Sequence, residues 1–256
     1  MGILNLTEDS FYDGGKHNSI DLALRQTEKM LKEGAFFIDI GVASSKPGSL
    51  LISAKEEIYK LTPFLNKLIQ AFPNTHFSID TYNSEVAKES LALGASMIND
   101  ISGGEIDPEM FETVAEFQVP YIMMHMQGTP EYMQQKPRYT HITKEIKSKL
   151  AERLQIAYKA GINDIIIDPG FGFGKTVSHN FQLLKELKTL LDLRCPIMIG
   201  VSRKSMVYKT LRGNPETALN GTTALHAWGL ERGVSILRVH DVKEAKECID
   251  LFSALQ

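Results

Sequence analysis

Eight short apolar runs recur along the chain: Gly2 to Leu6, Phe36 to Ile40, His76 to Ile79, Ser96 to Ile98, Tyr121 to Met124, Ile165 to Ile167, Ile197 to Val201 and Ser235 to Val239. Between and after them lie stretches with helical character: Ile20 to Lys32, Ala54 to Ala71, Ser84 to Leu93, Pro108 to Phe117, Thr143 to Ala160, Asn180 to Leu191, Thr217 to Glu231 and Val242 to Ala254. Strict alternation of strand and helix restricts the chain to a parallel sheet, because parallel neighbours need a crossover between them. The runs are apolar at nearly every position, as expected when both faces of a strand are covered. Several follow a glycine placed to end a helix, in EGA, LGA, KAGI and ERGV. Divided by eight, 256 residues leave about 32 for each strand, helix and pair of loops. No Pro-, Gly- or Ser-rich linker divides them. These features predict an α/β chain, a single (β/α)8 TIM barrel over residues 1–256, with its active site at the C-terminal rim of the strands.

Composition narrows the partners. Lys and Arg number 28 against 31 Asp and Glu, a net charge of -3, with both signs scattered. A large basic face for nucleic acid or anionic lipid is not expected. Cys195 and Cys248 are far apart and form no CxxC pair, which fits a reducing, cytoplasmic setting. No run of 18 apolar residues suggests a membrane span.

Polar residues stand where the apolar runs end: Asn5, Asp39, Asp80, Asn99 with Asp100, His125, Asp168, the Ser202 to Ser205 run, and Arg238 with His240. Any one of them could cap the following helix. All eight together fit a barrel rim, where such positions converge. Residues two apart in a strand share a face, so Arg238 and His240 are expected to point the same way, and a charged pair there implies an anion. DPGFGFGKT, Asp168 to Thr176, is not a phosphate-binding Walker loop, since three residues rather than four separate Gly170 from Gly174. A mobile or closely approached loop suits it better. NLTEDSFYDGGKHN, Asn5 to Asn18, lacks helical periodicity and has the length and glycines of a lid. GVASSKPGS, Gly41 to Ser49, offers hydroxyls, amides and Lys46 to a phosphate. GVSRKS places Arg203 and Lys204 directly after a strand. His125 has no second histidine at metal-ligand spacing and reads as structural.

Seven segments, GILNLTEDSFYDGG, SIDT, INDISG, MHMQG, DPGFGFGK, GVSRKS and LRVHD, occur in this order across nearly the whole chain. Together they resemble the dihydropteroate synthases, a family of β/α barrels. The resemblance implies that the chain joins 6-hydroxymethyl-7,8-dihydropterin diphosphate to 4-aminobenzoate, releasing pyrophosphate. It implies Mg²⁺ bridging the pyrophosphate, a homodimer through helices of the C-terminal units, and competition by sulfonamides.

Matched residue by residue, the resemblance gives catalytic roles to Asp80, Lys204 and Asp13. Pterin binding falls to Asp80, Asn99, Met124, Asp168 and Lys204. Phe11, Ser45, Pro47, Phe173 and Ser205 would form the aminobenzoate pocket; Asn5, Lys46, Arg238 and His240 would bind pyrophosphate, with Asn5 on the metal. The chain departs from the family in its first two loops. TEDSF stands where TPDSF is usual, and GVASSKPG where GGESTRPG is usual, so that Ala43 replaces an acid and Lys46 an arginine. Lysine supplies a point charge but not the planar fork of arginine. The loop after DPG keeps its ordinary length, from which ordinary sulfonamide sensitivity is expected. The first barrel strand is expected at the very start of this sequence, where the resemblance implies a leading segment that covers the barrel floor; a shortened start and a true variant both stay open. Two other readings stay open at this stage: a folate-binding methyltransferase barrel serving cobalamin proteins, and a pterin-binding module without activity.

Overall fold

The structure is a computed structural model that describes residues 1–6, 16–43, 48–49 and 51–255, with the side chains of 16–18 excepted. All eight apolar runs are strands: β1 Gly2–Asn5, β2 Phe37–Gly41, β3 His76–Asp80, β4 Met97–Asp100, β5 Tyr121–Met124, β6 Ile165–Asp168, β7 Met198–Ile199 and β8 Ile236–Leu237. The helices are α1 Lys16–Lys32, α2 Ala54–Ala71, α3 Ser84–Leu93, α4 Met110–Phe117, α5 Ile142–Ala160, α6 Val177–Lys185, α7 Ser205–Thr210, α8 Leu219–Glu231 and α9 Val242–Ser253, with a 3₁₀ turn at Leu187–Leu193.

Strands β1 to β6 form one parallel sheet in sequence order, and β7 and β8 a second. Parallel bridges Ile167↔Ile197 and Gly2↔Val239 link the two at both seams. The Ile3 amide donates to Val239 at 2.9 Å, and the Val239 amide to Met1 at 2.9 Å, so backbone pairing runs from β8 back to β1.

Strand alternation sorts side chains into two compartments. A Cβ on Gly2 would meet Met30 of α1 and Val242 of α9, so that face of β1 looks outward to the helices. Outward residues of the other strands, such as Ile38, Ile40, Phe77, Ile79, Ile98, Tyr121, Met123 and Ile167, join the large core beneath the helices. The opposite parity fills the barrel: Met97, Ile122, Ile166 and Met198 form one layer, with Met1, Phe37 and Ile236 packed against it. One step further along each strand, the same parity brings Asp39, Asp80, Asn99, Met124, Asp168 and Arg238 to the C-terminal end.

The helix-ending glycines do what their positions suggest. Gly34, Gly94, Gly161 and Gly233 have φ of 98°, 113°, 101° and 87°, the left-handed region that stops a helix. Three boundaries differ from expectation. Helical backbone begins at Lys16, inside the segment expected to be loop up to Asn18. The expected helix Asn180 to Leu191 is split, because the chain tightens into a 3₁₀ turn that buries Leu187 and Leu190 and ends at Arg194 with φ 56°. The six-residue α7 leaves no signal in the sequence, being too short to show a period.

Candidate active site

Asp39 sits in mid-strand β2, fully buried, in the apolar sequence FIDIG. Its Oδ2 accepts from Arg238 Nε at 2.6 Å and from Asn99 Nδ2 at 3.0 Å. Arg238 Nη2 donates to Asp80 Oδ2 at 2.6 Å. One guanidinium from the end of β8 thus joins carboxylates from β2 and β3, and the β4 amide completes the group. Both charge-assisted contacts are short, as expected where little water competes. Across the β3–β4 pairing, Asp80 and Asn99 are register partners. A Cβ on Gly41 would lie 3.3 Å from the Asp80 Cβ, so glycine there leaves the carboxylate its room.

Burial sets the electrostatics. Desolvation pushes the Asp80 carboxyl up to about 7; Arg238 opposes this, while Asp39, Glu57 and Asp100 add to it by repulsion. Burial alone would pull the Arg238 guanidinium down, but Asp39 and Asp80 outweigh it and hold the group firmly charged. Lys204 follows β7 and reaches across the rim to the carbonyl of Phe171. Its Nζ also stands 4.5 Å from the centre of the Phe173 ring, a cation–π contact. Burial lowers Lys204 to about 8, with Asp168 and Asp80 favouring the cation and Arg238 opposing it. Asp168 ends β6; burial raises its carboxyl, and its Oδ1 accepts from the Gly170 amide at 2.7 Å.

An apolar patch completes the rim. Met124 packs with Tyr82, Ile101, Met126 and Met133, and Ala43, Ile106 and Phe173 lie against this cluster. Polar hydrogen-bonding groups on one side and a flat apolar patch on the other suit a planar heterocycle with polar edges.

The DPGFGFGKT loop is closely approached rather than loose. Gly170, Gly172 and Gly174 all have positive φ, and a Cβ on Gly170 would lie 1.9 Å from the His125 carbonyl oxygen. Lys175 turns inward and is buried. It donates to the carbonyls of Gly170 at 2.9 Å, Phe173 at 2.9 Å and His125 at 3.3 Å, and lies 3.1 Å from His125 Nδ1. His125 therefore has a structural partner, and its ring is held well on the neutral side, at about 3, by burial and by Lys175.

At the other side of the rim, Arg238 and His240 part company. His240 Nδ1 lies 3.0 Å from Ser202 Oγ, the ring partly buried at a mouth that leaves the residue open on one side. Desolvation and the nearby Arg238 cation lower it to about 4, so at neutral pH it is an uncharged imidazole. The pair carries one positive charge, not two. Arg203 also departs from its grouping with Lys204: its guanidinium forks onto Asp241 at 2.8 and 2.7 Å and donates to the Pro215 carbonyl. It is a tie between loops. Asn5 ends β1 on the inward parity, and Ser205 opens α7 beside Lys204. Phe11, Asp13, Ser45, Lys46 and Pro47 lie outside the described residues.

Three buried groups with no assigned role from sequence belong to this architecture: Asp39, Lys175 and Glu57 of α2. Asp39 carried a signal, an acid amid apolar residues at a rim strand. Glu57 carried one too, since it lies four residues before Leu61 on the stripe Leu61, Phe64, Leu65 and Leu68 that α2 buries.

Residues 1–240 match the family described as pterin binding enzyme. The chain is 40% identical over 256 residues to the dihydropteroate synthase of Escherichia coli (strain K12), covering 99% of this chain and 90% of that one. It superposes with TM-score 0.93 and 40% identity on Yersinia pestis dihydropteroate synthase in a sulfonamide drug complex, covering 100% of this chain and 93% of that one. The Xanthomonas albilineans dihydropteroate synthase in complex with 7,8-dihydropteroate gives TM-score 0.88 at 36% identity, with 100% and 92% covered.

Proposed function

The chain belongs to the pterin-binding enzyme family, among its dihydropteroate synthases, and on that premise we propose how it works. It is a transferase of folate synthesis: the amine of 4-aminobenzoate displaces pyrophosphate from 6-hydroxymethyl-7,8-dihydropterin diphosphate to give 7,8-dihydropteroate. What carries this reading is the convergence of Asp80, Asn99, Asp168, Lys204 and Arg238 on one rim around the Met124 patch.

An arylamine is neutral at pH 7 and needs no strong base. The difficult step is to make the pterin methylene electrophilic. The C–O bond to the diphosphate breaks early, its electron pair leaving on oxygen; the amine then forms the C–N bond and loses a proton. Asp80 stabilises the positive charge that develops on the pterin, a preorganised carboxylate in a site with little water. Asp168 and Asn99 read the amino and amide edge, Lys204 the carbonyl side, and Met124 packs on the ring. Leaving such groups unpaired would reject rings without those edges. Phe173 and Ser205 border the aminobenzoate, joined by Phe11, Ser45 and Pro47. Asp13 of the first loop assists catalysis, and Lys46, Arg238 and His240 receive pyrophosphate. His240 does so as a neutral ring.

Mg²⁺ suits this rim. Among the described residues no group of three or more His, Cys, Asp or Glu could hold a metal. Magnesium at phosphates takes few protein ligands, and the exposed Asn5 at the end of β1 offers one hard oxygen beside the diphosphate site. When bound, the ion supplies positive charge to the departing pyrophosphate.

The protein works as a cytoplasmic homodimer, in this reading. Its two cysteines are unpaired, and no helix among the described residues is long and apolar enough to cross a membrane. A groove of about 940 Å³ between α8 and α9, lined by Leu219, Ala224, Leu251, Phe252 and Leu255, offers the second copy an apolar face. Incubating purified protein with the pterin diphosphate, 4-aminobenzoate and Mg²⁺ tests the activity. Pyrophosphate release is expected; pterin binding without release would make the chain an inactive module.

A further inference from the structure

Glu57 is a carboxylate with no established task in a place where carboxylates are costly. It is fully buried, and its Oε1 has no hydrogen-bond partner among the described residues. Oε2 accepts from Asn83 Nδ2 at 2.6 Å, and the nearby Thr81 hydroxyl also favours the ionised carboxylate. Among the described residues no cation is named as acting on it: burial raises it to about 7, opposed by Thr81 and Asn83. A buried acid without a counter-ion destabilises the fold and is retained for a reason other than stability.

The residues it grips locate that reason. Thr81 and Asn83 flank the turn that leaves β3 immediately after Asp80. Asn83 stands at the N-cap of α3, yet its side chain makes no capping bond there and turns to Glu57 instead. The Asn83 amide donates to Thr81 Oγ1 at 3.2 Å, and the Thr81 amide to the Asn99 carbonyl at 3.0 Å. From the other side, the Ile52 amide donates to Tyr82 Oη at 3.0 Å. Ile52 and Glu57 belong to the end of the second loop and the first turn and a half of α2. This short stretch therefore holds the whole Thr81–Asn83 turn.

We propose that Glu57 is a positioning residue for the reaction: through Thr81 and Asn83 it fixes the turn that sets the Asp80 carboxylate against Arg238 and the pterin methylene. The inference rests on the role given to Asp80 above. Asp80 is faced by Arg238 from β8, Asp39 from β2, Asp100 from β4 and Glu57 from α2, and it acts in turn on Lys204 after β7. Glu57 is the member of this set that is both charged and outside the strands and rim loops. Removing its charge lets Asp80 ionise at lower pH, since the repulsion from Glu57 holds the Asp80 carboxyl up.

Two variants of the full-length protein test this with saturating Mg²⁺. Glu57→Ala is expected to lower kcat about 10- to 100-fold, the range for loss of a residue that orients a reacting group, with the KM for the pterin diphosphate little changed. Glu57→Gln keeps the shape and an acceptor for Asn83, so it is expected to recover most of kcat while moving the acid limb of the kcat/KM profile to lower pH. Should Glu57→Ala fail to fold, Glu57→Gln decides alone. An unmoved acid limb in Glu57→Gln with wild-type kcat would overturn the proposal, as would a rise in KM alone. Asp80→Asn is the companion measurement: full turnover there would refute the role of Asp80, whereas loss there with unaltered Glu57 variants refutes only the present inference.

Discussion

Arg238 and Asp80 meet at 2.6 Å across the barrel mouth, the guanidinium arriving from β8 and the carboxylate from β3. The contact opposes the neutralisation of an acid by burial, and so favours the negative charge that the proposed reaction asks of Asp80. Replacing the carboxylate by its isosteric amide removes that charge without changing the packing. Asp80→Asn is expected to fold with an unchanged circular dichroism spectrum and to lose most turnover, about 10²- to 10³-fold, as for other preorganised electrostatic groups. Wild-type rates in the purified variant would refute the assignment.

Asp39 is the other half of the same clamp, and the consequence of its loss is first one of stability. With Asp39 gone, Arg238 Nε and Asn99 Nδ2 lose their shared acceptor in a buried place. Breaking one side of a buried pair costs about 3–5 kcal/mol. Part of that cost is recovered because Arg238 keeps Asp80. Asp39→Ala is expected to lower stability by about 3 kcal/mol in urea titration, with activity lost beyond the folded fraction. A midpoint equal to the parent protein's would show that water replaces Asp39 fully.

The paired ionisations make a pH window. Asp80 acts as the anion above about 7, and Lys204 as the cation below about 8. Both values follow first from burial, which raises an acid and lowers an amine. The sign is fixed by these shifts: activity falls as pH drops through the Asp80 ionisation and again as it rises through that of Lys204. A bell in kcat/KM centred between pH 7 and 8 is expected from initial rates, and Lys204→Arg should remove its alkaline limb. A profile flat from about pH 5.5 to 9 would disprove both roles.

The barrel was legible because its strands carry one message on both faces. Ile38, Ile40, Ile98, Ile122, Ile166 and Ile199 are buried whichever way they point, so the apolar runs appear whole in the sequence. The rim residues were legible because a polar side chain at the end of such a run has no apolar reason to be there. What each rim residue touches was not. Arg203 and Lys204 are adjacent in sequence, yet one ties off Asp241 and the other reaches into the mouth, because Arg203 takes a left-handed backbone, φ 55°, between them. His240 shares parity with Arg238 but lies beyond β8, where desolvation rather than spacing decides its charge. Lys175, in a loop whose spacing does not fit a phosphate-binding Walker loop, is an internal pin, a role fixed by carbonyls from residues two to fifty positions away.

That pin makes the loop after β6 sensitive to its glycines. Gly170 has φ 71°, and its missing Cβ would come within 1.9 Å of the His125 carbonyl oxygen. Either that oxygen moves, releasing Lys175, or the loop shifts and takes Asp168 and Phe173 with it. Gly170→Ala is expected to cost more than the roughly 1 kcal/mol of an ordinary left-handed alanine and to weaken pterin affinity. Gly48→Ala, at φ 87° with no described atom within 4 Å of the added Cβ, serves as the measure of backbone strain. Equal thermal shifts for the two variants would show that the contact is harmless.

The second loop holds the clearest departure from the family, Lys46 and Ala43 in GVASSKPG. Ala43 packs against the rim cluster that includes Met124, an apolar side chain where the resemblance implies an acid. Lys46 keeps the charge for an anion but cannot present two parallel donors to one phosphate or carboxylate. If Lys46 stands at the pyrophosphate as proposed, an arginine there is expected to raise turnover. Lys46→Arg is expected to raise kcat/KM about 5- to 20-fold, the worth of one charge-assisted hydrogen bond at roughly 1–2 kcal/mol. The gain should appear as tighter use of the aminobenzoate substrate or as stronger product inhibition by pyrophosphate, and sulfamethoxazole should compete with the aminobenzoate in both proteins. An unchanged or lower kcat/KM in Lys46→Arg would mean that the loop has adjusted to lysine and that the departure costs the reaction nothing.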